Sequence, residues 1–195
     1  MKSKITLIFE EIDKKKYELK QEYLKMKDKY GFHFKGGKIV FNTEKVVENK
    51  KYKKSILNSI FNTTIKNILA IPFIYVMIVP AVFLDIFLFV YQQTAIRLYG
   101  IPLVNRSDYV VFDRRHLDYL NWIQKFNCLY CSYFNGLMSY AVEVAGRTEK
   151  FWCPIKSAMR QKGGHDWEEY FADYGDPKGF MEEFNDTKCF TKLKK

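Results

Sequence analysis

The sequence predicts a mainly α-helical protein: amphipathic helices around one membrane-embedded helix, spanning or re-entrant, with a short β-hairpin near residues 31–41. Three observations carry that expectation. Residues 68–91 read ILAIPFIYVMIVPAVFLDIFLFVY and hold one charge, Asp85. Apolar residues ahead of that run recur at helical spacing, and a glycine pair separates two short apolar-rich stretches. The flanks are so polar that mean hydropathy is −0.28 despite the run. A hydrocarbon core needs about 20 apolar residues as a helix, and soluble helices rarely stay apolar on every face for that long. The chain divides into a basic N-terminal region (1–67), a membrane-embedded segment (68–91) and a juxtamembrane helical domain that contains the cysteines (92–195).

Each element has its own signal. Ile5, Ile8, Phe9, Ile12, Leu19, Tyr23 and Met26 set an amphipathic helix over residues 4–30. GFHFKGGKIVF, residues 31–41, reads as a hairpin turning at Gly36-Gly37. A basic helix follows, and Ile56, Leu57, Ile60, Phe61 and Ile65 lead it into the apolar run. Pro72 and Pro80 each remove a backbone donor and kink a helix. A break near Pro80 leaves about a dozen residues per arm, too short to cross twice but suited to a re-entrant hairpin. Asp85 is costly at the bilayer centre and is expected near an interface or against protein. After Gly100 and Pro102 comes a strand-like DYVVF; Asp113 then opens a long helix to about Gly146. Trp167, Tyr170, Phe171 and Tyr174 suggest a short amphipathic helix ending at Gly175, with a turn at Asp176-Pro177.

Composition bounds the rest. With 195 residues, 48% of them apolar and only 5 Pro and 10 Gly, the chain can pack a core, which excludes wholesale disorder and collagen-like repeats. Four cysteines are too few for a disulfide scaffold. The net charge is +10, and residues 1–67 carry 17 Lys against 8 acids. Lys50, Lys51, Lys53, Lys54 and Lys66 stand just before the apolar run, so the positive-inside rule expects a cytoplasmic N-terminus. The same lysines favour anionic lipid head groups as partners. No apolar stretch follows the start, so no cleaved signal is expected. Nucleic acid is not expected as a partner: the charge flanks a membrane segment and no helix-turn-helix, RNA-recognition or zinc-finger spacing occurs.

The strings FDRRHLDYLNWIQKFNCLYCSYFNGL, AGRTEKFWCPIK and FADYGDPKGF, together with IPFIYVMIVPAVFLD and LYGIP upstream, span roughly residues 68–180. In these strings the chain resembles a family of small, uncharacterised bacterial membrane-associated proteins. The resemblance implies a bacterial membrane protein with a recurring cysteine motif, and no substrate. Where the family pattern places a histidine four residues after the CPIK cysteine, this chain has Ser157. That departure weakens any four-ligand site taken from the family.

The chemistry gathers around the cysteines. Cys128 and Cys131 form a C-x-x-C and share a helix face at i, i+3. Cys153 precedes Pro154, so it reads as the N-cap of a helix, where dipole and free N–H groups stabilise a thiolate. Three such thiols with one nitrogen or oxygen ligand suit zinc, iron less so. His116 lies too far from Cys128 if one helix joins them, so His165 or a group from outside is the better fourth ligand for Cys128, Cys131 and Cys153. Cys189, in a charged tail, reads as a free surface thiol. Against the metal stand a thiol redox role and plain burial of small hydrophobes. Arg114 and Arg115 beside His116 could bind an anion or a head group, although an N-cap by Asp113 with solvated arginines is the favoured reading. Asp113, His116 and Glu143 echo a diiron site but lack the second Glu-x-x-His. Glu143, Arg147 and Glu149 read as intrahelical pairs, and Asn135-Gly136 as a bend or close packing.

Two functions follow. One is an accessory membrane protein whose cysteines hold a structural or sensing metal. The other is a membrane-bound enzyme or thiol redox protein acting on a lipid-borne substrate or a partner protein, with Cys153 or His116 at the site. No nucleotide loop, catalytic triad spacing or dinucleotide fingerprint occurs.

Overall fold

The computed structural model describes residues 4–35, 38–55, 64–159 and 161–190. The expected turn at Gly36-Gly37 and the lead-in residues Ile56, Leu57, Ile60 and Phe61 lie outside the described residues. The chain forms two compact units. One joins the chain up to Ile71 with Phe112–Cys131; the other joins Pro72–Val111 with the chain from Ser132 onward.

The first unit is built on α1 (Lys4–Tyr30), a helix with no buried residue. Its exposed ion pairs, such as Lys15–Glu18 and Lys25–Glu22, join residues one turn apart, a spacing worth a few tenths of a kcal/mol each. It stops at Gly31, whose φ of 63° suits glycine at a helix end. The expected hairpin is present: β1 (Phe32–Lys35) and β2 (Lys38–Phe41) pair antiparallel, with Phe32 opposite Phe41 and Lys35 opposite Lys38. The Asn42 N–H then donates to the Gly31 carbonyl, and α2 (Thr43–Lys50) follows. Residues 112–131 return to this unit: the Asn121 side-chain amide donates to the Lys54 carbonyl. Leu117 and Tyr119 line a cavity of about 630 Å³ with Tyr30, Phe32, Phe41 and Tyr52.

The apolar run is one long helix, Ile65–Ile96, composed of α3 (Ile65–Val76), α4 (Ile78–Tyr91) and a widened π-turn at Gln92–Ile96. The hairpin considered at Pro80 does not form. Met77 keeps right-handed helical angles, and the Ala81 N–H still bonds to the Met77 carbonyl at 3.3 Å, so the donor missing at Pro80 costs one bond and causes no reversal.

The second unit is organised around the inward stripe of this helix. Ala81, Leu84, Leu88 and Tyr91 pack against Tyr133, Leu137, Tyr140 and Val144 of α5 (Trp122–Trp152). The two helices run in the same direction, because Asp85 meets Tyr133, Gln92 meets Tyr140, and Tyr99 just beyond meets Phe151. A parallel pair needs a return strand of chain, and residues 97–111 supply it. The buried Gln92 amide fixes that return: its oxygen accepts from the Val104 N–H at 2.7 Å, and its NH₂ donates to the Val104 carbonyl and to the Tyr140 hydroxyl. A second cluster, Ile96, Ile101, Trp167, Phe171 and Phe190, closes the far end.

Two expected helices are redrawn. Asp113 opens only a single turn, Arg114–His116, and α5 starts at Trp122. Asn121 and Gln124 cap it reciprocally, each side chain accepting the other's backbone N–H at 3.0 and 2.9 Å. In the tail, Asp166–Tyr170 is one 3-10 segment, and Asp176-Pro177 opens α6 (Pro177–Glu183), with the Asp176 carboxylate accepting from the Lys178 and Gly179 N–H groups.

Candidate functional site

Cys153 ends α5 instead of starting a helix. Its N–H donates to the Glu149 carbonyl at 2.7 Å, and the following residues are extended: Ile155 bridges to Ala172 in parallel, with Ala172 N–H on the Pro154 carbonyl and Lys156 N–H on the Ala172 carbonyl. The positive helix end expected behind this thiol is therefore absent. Pro154 is fully buried where it anchors the bridge, while Cys153 is exposed. Lys156 reaches Asp173 at 2.7 Å, so the CPIK segment and the FADYGD segment are pinned to each other by backbone and side chain together.

His165 belongs to the same unit as this segment. It lies over Gly146, where a Cβ would fall 2.5 Å from its ring, and against Phe171 at 5.6 Å between centroids. Its Nε2 is 2.8 Å from the Glu149 carboxylate, and its Nδ1 is buried without a hydrogen-bond partner. The ring is thus held by a carboxylate one helical turn before Cys153.

The other thiols sit elsewhere. Cys128 is half-buried and Cys131 exposed on the part of α5 that belongs to the first unit, whereas Cys153 and His165 belong to the second. No disulfide joins any of the four cysteines, and among the described residues no group of three or more His, Cys, Asp or Glu side chains is arranged to hold a metal ion. Cys189 is not a surface thiol: it is half-buried against the Trp167–Phe190 cluster, and burial pushes its thiol above the usual range.

Arg114 and Arg115 are exposed on their single turn, and the Arg115 Nε donates to the His116 Nε2 at 3.3 Å. Arg114 and Asp113 border a cavity of about 380 Å³, whose apolar wall includes Phe32, Phe34 and Phe41 and whose basic rim includes Lys20 and Lys27.

Sequence reasoning missed the polar group built on the apolar helix. Arg106 makes a two-pronged ion pair with Asp85, Nε at 2.9 Å and Nη2 at 2.7 Å, and the Tyr133 hydroxyl donates to the same carboxylate at 3.0 Å. The signal was available in Asp85 itself, because a lone carboxylate in such a run requires a cation. The expected Arg147–Glu143 pair forms at 2.7 Å, but it is largely buried, with Arg147 also donating to the Pro102 carbonyl. Lys150, fully buried, ends on the Glu183 carboxylate and carbonyl at 2.8 and 3.1 Å.

The apolar helix presents the largest feature. Ile65, Phe73, Val76, Phe83, Phe87 and Phe89 are each more than half exposed, and only 6% of its most apolar stretch is buried. No family model matches the chain, and no curated protein or solved structure matches it either.

Proposed function

We propose that this chain is a bacterial inner-membrane protein of the family its motifs resemble, anchored by Ile65–Ile96 and carrying accessible thiols beside the bilayer. One observation carries the reading: a helix of membrane length keeps its bulky apolar side chains exposed, a state that water penalises at about 25 cal/mol per Å². The lysines ahead of it favour a cytoplasmic N-terminus on anionic lipid. The test is fractionation of cells that express the full chain. The protein should stay with membranes after a carbonate wash at high pH; release into the supernatant would sink the anchoring role.

The thiol function is a narrower proposal. Exposed Cys131 and Cys153 suit reaction with a partner protein or a lipid-borne substrate, with His116 as the other catalytic candidate. A structural or sensing zinc on Cys128, Cys131, Cys153 and His165 requires those side chains to converge, and the described arrangement lends that reading no support. Metal analysis of anaerobically purified protein beside a Cys128→Ser/Cys131→Ser variant decides between them. About one zinc per chain, lost in the variant, would favour the metal.

A further inference from the structure

We infer that the apolar helix lies in one leaflet, along the membrane surface, and does not cross; the inference rests on the anchoring reading above. Chain connectivity provides the first reason. The chain leaves the first unit at Ile71 and re-enters it at Phe112. A single crossing by the intervening helix would leave residues 112–131 and residues 4–54 on opposite sides of a bilayer. They are instead packed together, through Asn121 on the Lys54 carbonyl and through Leu117 and Tyr119 beside Tyr30 and Phe32. The number of crossings between residues 71 and 112 must therefore be even.

Two crossings fail on chemistry. The second would have to be made by residues 97–111, which carry one short 3-10 turn and otherwise irregular backbone. Asn105, Ser107 and Asp108 are exposed there, and the Arg106 side chain is 42% exposed. Arg106 also ties this segment to Asp85, alongside the helix it would accompany through the hydrocarbon. Lipid-exposed irregular backbone is not found at that depth, because each unsatisfied polar group costs several kcal/mol. Zero crossings remain.

The faces of α4 fit a helix lying flat. Val79, Pro80, Val82, Phe83, Ile86, Phe87, Phe89 and Val90 are the exposed residues of α4, and at about 100° per residue they span about half the circumference. Ala81, Leu84, Asp85, Leu88 and Gln92 occupy the opposite side and contact the second unit. One face meets protein and the other meets acyl chains, the arrangement of an interfacial helix. The basic flank and every thiol then lie on one side of the membrane.

The test uses a membrane-impermeant maleimide on inverted inner-membrane vesicles and on spheroplasts. Three full-length chains each keep one cysteine: Lys14→Cys with the native four changed to Ser, Cys131 alone, and Cys153 alone. All three should label in inverted vesicles and none in intact spheroplasts. Labelling of Lys14→Cys and of the Cys153 chain from opposite sides overturns the inference while leaving membrane anchoring intact. Loss of the protein from carbonate-washed membranes overturns the anchoring reading as well, so the two failures are distinct. The unsubstituted chain gives an independent check by trypsin: in inverted vesicles, cleavage should reach both the lysines before residue 67 and Lys178 and Lys188. Protection of the latter pair overturns the inference.

Discussion

The Tyr109 carbonyl rests against Gly136: a Cβ on that glycine would fall 2.6 Å from the Tyr109 oxygen and 2.8 Å from the Val110 Cα. Both neighbours are backbone, so nothing flexible can yield. Gly136→Ala should cost about 1–3 kcal/mol, the usual penalty for overpacking. Thermal unfolding in detergent checks this, and an unchanged midpoint would mean that the return segment does not lie on α5.

Breaking the Asp85–Arg106 pair should be costly from one side and milder from both. Asp85→Asn strands a guanidinium and loses charge-assisted bonds worth about 1.5–3 kcal/mol, reduced here because Arg106 is partly exposed. Asp85→Asn with Arg106→Met should recover part of that loss. The coupling energy from the double-mutant cycle is the measurement; strict additivity would remove the pair from the list of stabilising contacts.

Lys150 is a fully buried side chain, and its partner Glu183 is 38% exposed on the side chain. Lys150→Met keeps the volume and leaves a carboxylate that water can reach, so it should cost less than about 1.5 kcal/mol. Lys150→Ala should cost about 2–5 kcal/mol through the void. Denaturant midpoints of the two variants separate packing from charge: equal losses would make the ion pair the source of stability.

Burial pushes the Tyr109 phenol up to about 12 from 10.0. The folded state therefore holds a proton that the unfolded chain releases first. Its stabilising effect is complete below pH 10 and is lost as pH rises from 10 through 12. Tyr109→Phe should flatten the fall in stability across that window. An identical slope in the variant would assign the alkaline loss to Tyr133, Tyr140 or Cys189, which are raised in the same direction.

Thiol reactivity should order itself by position. Cys131 and Cys153 are exposed, whereas Cys189 is half-buried with its thiol pushed up. A colorimetric disulfide reagent at neutral pH should therefore modify Cys189 last, because the thiolate is the nucleophile. Rapid modification of Cys189 would mean that the Trp167–Phe190 cluster opens readily.

What could be read from residues alone was whatever depends on neighbours in sequence. The periodicity from Ile5 to Met26 yields α1, the alternation around Phe32 and Phe41 yields the hairpin, and the uninterrupted run from Ile68 yields the apolar helix. Long-range partners were not legible. Asp85 waits for Arg106, 21 residues on, and the imidazole of His165 is taken by Glu149, 16 residues back, which no spacing rule announces. Some local signals were also weighted wrongly. Asn121 and Gln124 form a capping box that marks the start of α5, and Asp176 before Pro177 is an N-cap before N1, so both helices begin where side chains satisfy N–H groups. Cys153-Pro154 carries the same N1 signal but is overridden: pairing with Ala172 supplies the backbone bonds that a helix would have made.

The parallel pairing of the apolar helix with α5 also orders events in time. Gln92 and Tyr140 are 48 residues apart. At about 5–20 residues per second on a ribosome, the helix is complete several seconds before the surface that covers its inward stripe has been translated. Through nearly all of that interval Asp85 has no Tyr133 and Gln92 has no Tyr140. The helix therefore meets the cell as a bare segment, apolar on one side and carrying unmet polar groups on the other. Whatever receives the nascent chain must accommodate both sides before the rest of the molecule can close over one of them.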